Sequence, residues 1–213
     1  MSKVTIWDNF TRIYHMSQLI LLALLWYSGE QADFELHFTC GYLMLSLFIT
    51  RLVWGLIGSD TSRFVHFVKT PKTVLNSLKQ KPSPTHGHSP VAGYMVVALL
   101  LALGAQLFTG LFATDDVLAE GPLIYSVSDS FAESMDSLHH EIFNILLALI
   151  ALHAIAGIIH SIKADNVIKV ILTGESNVHK PHSLSFKSVV LPLAIWAILF
   201  GLMAYFWLAD VFI

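Results

Sequence analysis

The chain alternates long apolar runs with short polar segments, and the runs have the length of helices that cross a bilayer. Such a helix needs roughly 20 mostly apolar residues for a hydrocarbon core about 30 Å thick. The first run covers residues 13–28, short for a span, and is expected to begin inside an amphipathic lead, VTIWDNFTRIYH. An acidic turn, 29–35, leads to a second span at 36–57. A polar loop, 58–89, contains Lys and Pro and carries KQKPSPTHGHSP near its end; a third span follows at 91–113. An acidic loop broken by Gly and Pro, 114–137, is expected to hold a short surface helix at 128–136. The fourth span is 138–160, and a polar connection at 161–187 precedes a fifth at 188–208. No internal repeat or low-complexity tract is visible.

Composition agrees with this pattern. Of 213 residues 55% are hydrophobic and only 13% charged, with mean hydropathy +0.66, whereas soluble domains run near 25% charged. The expected class is an all-α integral membrane protein, too short for two large domains and without features that point to nucleic acid. The single cysteine, Cys40, excludes an intrachain disulfide framework and CxxC zinc motifs. There is no CxxCH either, so any haem would be held without thioether bonds. Lys3, Asp8 and Arg12 precede the first apolar run and no small-residue cleavage site closes it, so the run reads as a retained span.

Charge gives the orientation. All twelve Lys and Arg fall on the N-terminal side of the five-span layout, with four acidic residues, leaving +8 there. The other side holds Glu30, Asp33, Glu35, Asp115, Asp116, Glu120, Asp129, Glu133, Asp136, Glu141 and Asp210, or −11, and the two give the net −3. The excess of Lys and Arg places the N-terminus in the cytoplasm and the C-terminus outside. The acidic outer face, above all loop 114–137, is a candidate docking surface for a basic partner; solvated loops have the same composition.

The fourth span, LHHEIFNILLALIALHAIAGIIH, carries the chemistry. His139 and His153 are fourteen residues apart, which at 100° per residue puts both on nearly one face, about 21 Å apart along the axis. Ionisable groups at membrane depth lean functional. His37 opens the second helix at the outer depth of His139, and His15 opens the first at the inner depth of His153. Each depth thus holds two histidines from different helices, as a bis-imidazole haem iron requires; a bare metal site would need its ligands in one sphere. His140 is about 140° from the face of His153 on a regular helix, so His139 fits better. His160 reads as a headgroup-level residue, and His66, His86, His179 and His182 as surface residues. Arg51, fourteen positions after His37, shares its face at the inner depth and would need an anion, for which a haem propionate is suitable. Arg12, one turn before His15, could serve the same haem; snorkelling to headgroups is the competing role of both. Cys40, Gly41, Gly93, Gly104 and Gly110 suit close packing of helices or of a flat macrocycle, and Trp7, Trp26, Trp54 and Trp207 read as interfacial anchors.

The lead TIWDNFTRIYH, the segments ELHFTCG and RLVWGLIG, the loop GHSPVAG and LHHEIFNILLALIALH together resemble the bacterial cytochrome b561 family, in particular its branch with the b-type cytochrome subunit of nickel–iron hydrogenases. The resemblance covers about residues 4 to 176. It implies a four-helix bundle with two non-covalent b haems, residues 1–176 forming that dihaem domain, and 177–213 an extension with a fifth transmembrane helix. On matching motifs His15, His37, His139 and His153 are the iron ligands; the family usually has one histidine before the glutamate where this chain reads His-His-Glu. The implied function is electron transfer across the bacterial inner membrane between quinone and a periplasmic redox partner, a c-type cytochrome or hydrogenase. A self-sufficient oxidoreductase passing electrons from superoxide or another small oxidant to quinone is the near alternative. A non-redox metal permease or assembly factor is the distant one.

Overall fold

The structure is a computed structural model describing residues 4–78, 88–114, 119–163, 166–176 and 184–208. It is built almost wholly of helices. In chain order they are α1 (Asn9–Glu30), α2 (Phe34–Ile57), two short helices α3 (Phe64–Phe67) and α4 (Pro71–Leu78), α5 (Pro90–Gly110), α6 (Asp129–Lys163), α7 (Val167–Thr173) and α8 (Val190–Met203). A π-helical turn, Ala204–Leu208, extends α8. Two-residue strands β1 (Val4–Thr5) and β2 (Glu175–Ser176) pair antiparallel.

Among the described residues four helical stretches are long and apolar enough to cross a membrane: Phe34–Ile57, Pro90–Gly110, Asp129–Lys163 and Val190–Leu208. They match four of the five expected spans to within a few residues, except that the fourth begins earlier. The short surface helix expected at 128–136 is not separate: α6 runs unbroken for 35 residues from Asp129, because nothing between Ser128 and Leu138 interrupts helix formation and both Ala132 and Leu146 are buried along it. α1 has the length, 22 residues, but its polar first half makes it less apolar than the other four.

The helices divide between two compact units. One comprises Met1–Ser17, Ile49–Val97 and Leu152–Trp196; the other comprises Gln18–Phe48, Ala98–Ala151 and Ala197–Ile213. In the first unit the amphipathic lead is not a simple extension of α1. The β1–β2 pair ties the N-terminal strand to the segment after α7, and the Ile6 N–H donates to the Gly174 carbonyl at 2.7 Å. Gly174 ends α7 with φ +80°, a conformation that costs little only without a side chain. Asp8 then starts α1 as its cap. Its carboxylate accepts the Thr11 N–H at 2.7 Å, the Trp54 indole N–H at 3.2 Å and the Ser62 hydroxyl. Phe10 packs edge-on to Trp54 at 5.5 Å, both almost fully buried. Trp54 is therefore a core residue of this unit, and Trp7 is buried too, where the sequence suggested interfacial anchors.

The segment before α8 is docked on the loop after α2. Asp60 and Ser185 exchange two hydrogen bonds, Ser185 N–H to carboxylate at 2.8 Å and Asp60 N–H to carbonyl at 3.1 Å. The Lys187 N–H donates to the Ser59 hydroxyl at 3.0 Å. In the second unit the chain after α5 folds back, with the Gly121 N–H donating to the Ala113 carbonyl and Leu123 to Leu111. Tyr125 donates its hydroxyl to Glu120 there, which raises the phenol above its ordinary range. Trp207, at the end of α8, packs against Tyr42 at 5.7 Å.

Candidate functional site

The second unit brings His37 and His139 together. α2 starts just after the turn at residues 31–33, so His37, in its first turns, lies back along the end of α1. Its Nδ1 donates to the Leu25 carbonyl at 3.1 Å and also meets the Ser28 hydroxyl at 3.2 Å. His139, on α6, faces α5. Its Nδ1 donates to the Gln106 carbonyl at 3.1 Å, with the Thr109 hydroxyl also at 3.1 Å. A carbonyl oxygen only accepts, so in both rings Nδ1 carries the proton and Nε2 the lone pair. This is the arrangement that orients a metal-ligating imidazole and raises its basicity.

The two rings lie 6.4 Å apart, centroid to centroid. A metal–imidazole bond of roughly 2 Å on either side of one ion puts the centroids about 6 Å apart, so the pair has the spacing for one iron between them. The Gln106 amide nitrogen now donates to His139 Nε2 at 3.0 Å, while its carbonyl oxygen is buried without a partner; that amide must turn away for Nε2 to take a metal. Gly110 makes room for the ring, since a β-carbon there would lie 2.9 Å from His139 Cε1. His140 points elsewhere. Its side chain is 79% exposed and 4.0 Å from Asp136.

The first unit holds His15, Arg51 and His153. His15 is half-buried and its Nδ1 has no partner. His153 is exposed on an apolar stretch of α6 with Leu152 and Ile155, and it lies close enough to His15 for their charges to interact. Arg51 is 3% exposed. Its guanidinium stacks between Tyr14 at 5.8 Å and Phe64 at 5.1 Å, and Nη1 is buried with nothing to donate to. A sealed guanidinium with an open N–H fits an anionic group such as a propionate. Arg12 is engaged differently: it donates through Nε to the Leu172 carbonyl at 3.1 Å, again through Nη2, and to Asn9 at 3.4 Å.

His66 is exposed, as expected; His86, His179 and His182 lie outside the described residues. Among the described residues no three His, Cys, Asp or Glu side chains converge as a bare metal site would require. The sequence reading missed Gln106 and His88. Gln106 interrupts an otherwise apolar span, which is a usable signal; His88 sits in the GHSP loop, where a histidine looks like surface.

A pair of imidazoles with outward-tied Nδ1 atoms, on helices able to cross a membrane, is what comparison with known families bears on. No curated protein and no solved structure matches the chain. The family model described as prokaryotic cytochrome b561 matches residues 6–174, and the chain belongs to that family.

Proposed function

We propose that this membrane b-type cytochrome holds two haems, one between His37 and His139 and one between His15 and His153, and transfers electrons between membrane quinone and a redox protein docking on the acidic side. The observation that carries the reading is the His37–His139 pair, 6.4 Å between centroids with both Nδ1 atoms tied to carbonyl oxygens. Bound haem would supply a reversible one-electron iron couple. The chain's own residues set its environment. The Leu25 and Gln106 carbonyls draw on the Nδ1 protons, making both imidazoles stronger donors and favouring the oxidised metal. Arg51 places a fixed positive charge in the first unit, which favours the reduced state there and pairs a propionate. The orientation follows from the charge asymmetry: the N-terminus in the cytoplasm, the acidic loop 114–137 in the periplasm, the membrane being the bacterial inner one.

The test is haem content and a dithionite-reduced minus oxidised spectrum of detergent-purified protein. Two non-covalent, low-spin b haems per chain are expected, falling to one in His37→Ala and in His15→Ala. A colourless, folded wild-type protein, or two haems retained in either variant, overturns the assignment. Quinone reduction by the purified protein without any partner would replace the docking partner by a small oxidant.

A further inference from the structure

Among the described residues of the first unit, six buried side-chain polar atoms have no partner, and one of them belongs to a histidine that the ligand assignment does not use. His88 lies two positions before α5. Its ring is gripped by Trp7, edge-on at 4.7 Å, and by Phe67, tilted at 4.7 Å, while its Nδ1 is sealed from solvent without a partner. Phe67 is itself fixed. It packs edge-on to Phe64 at 5.7 Å, and Gly93 lets α5 approach so closely that a β-carbon would stand 2.6 Å from the Phe67 carbonyl. Phe64 in turn carries the Arg51 guanidinium over its face at 5.1 Å, with Tyr14 at 5.8 Å.

The aromatic chain from Trp7 to Tyr14 links three donors, His88 Nδ1, Arg51 Nη1 and the Tyr14 hydroxyl, each buried and unpaired, and Arg51, His153 and His15 lie close enough to His88 for their charges to reach it. Burial pushes the His88 imidazole down to about 3, helped by the charge of Arg51 and then by His153 and His15, so it stands there as a neutral donor. One fixed cation flanked by neutral donors complements a single carboxylate, which has two oxygens and about four acceptor positions. Asp8, a buried carboxylate of this unit, is already taken by Thr11, Ser62 and Trp54.

We propose that His88, with Arg51 and the Tyr14 hydroxyl, forms a carboxylate-binding site that takes a propionate of the haem held by His15 and His153. The proposal rests on that ligand assignment. Its test uses full-length protein in detergent, freed of haem and reloaded with either iron protoporphyrin IX or its dimethyl ester, which lacks the carboxylates. Loss of each to apomyoglobin is followed, and the phase absent from His153→Ala protein is the one read. Wild type should release the ester about tenfold faster than haem in that phase, the size of one hydrogen bond to a charged group. His88→Ala should shrink the ratio, Arg51→Gln should abolish it, and His88→Asn should keep it, because its amide N–H replaces Nδ1–H. Equal release of haem and ester by wild type overturns the proposal without any variant having to fold. So does a His88→Ala ratio equal to that of wild type. If His153→Ala loses no phase at all, the ligand assignment is what has failed.

Discussion

At position 110 one hydrogen in place of a methyl group decides where an imidazole sits. A β-carbon there would come within 2.9 Å of His139 Cε1, so Gly110→Val should displace the ring and halve the haem content while leaving the protein helical by circular dichroism. His139→Ala should likewise remove one haem, and His140→Ala should leave both, since His140 points to solvent beside Asp136; the pyridine haemochrome assay reads all three. Asp8 is the other residue on which much converges. Asp8→Ala strips the cap of α1 and leaves the Trp54 indole and the Ser62 hydroxyl without their acceptor, at a cost of about 2 kcal/mol, seen as a lower thermal midpoint. The meeting of His37 and His139 was legible because spacing in apolar helices is a strong signal. Their acceptors were not, because the Leu25 and Gln106 carbonyls belong to the backbone and any residue supplies one. Arg12 shows the same limit from the other side: its charge was visible, its bond to the Leu172 carbonyl was not.

Among the elements, the hydrophobic runs foretold where α2, α5, α6 and α8 lie, since burial in lipid demands an apolar surface along the whole length. Ends were less legible. The first turns of α6 are polar, and a helix leaving the membrane needs no apolar residue to continue. β1 and β2 left no trace, as two-residue strands are too short for any period. The clasp before α8 is equally local, and it titrates. The Ser185 N–H, and then Arg63, hold the Asp60 carboxyl below its ordinary 3.8. A lowered value means that the contact is complete above the ordinary range and is lost as pH falls through the lower one. Protection of the Ser185 amide, relative to its intrinsic exchange rate, should therefore be high at neutral pH and be lost only below the ordinary 3.8, and in Asp60→Ala it should be low throughout.

For the whole molecule, the family match ends at residue 174, just where β2 begins, and α8 lies beyond it. A chain truncated after Ser176 should keep both haems but melt earlier, having lost the Asp60–Ser185 and Tyr42–Trp207 contacts; loss of haem would make α8 part of the dihaem domain. The strand pair has one more consequence, a matter of parity. Thr5 and Glu175 stand opposite each other in the strand pair, so they occupy the same side of any membrane the chain threads. A path that returns to its starting side has crossed an even number of times. If α2, α5 and α6, the three intervening stretches able to cross, each cross once, then α1, polar as its first half is, has to make the fourth pass. A crossing by α8 would then leave the chain on the far side. Topology reporters placed before Val4 and after Ser176 should agree with each other, and one after residue 208 should disagree with both.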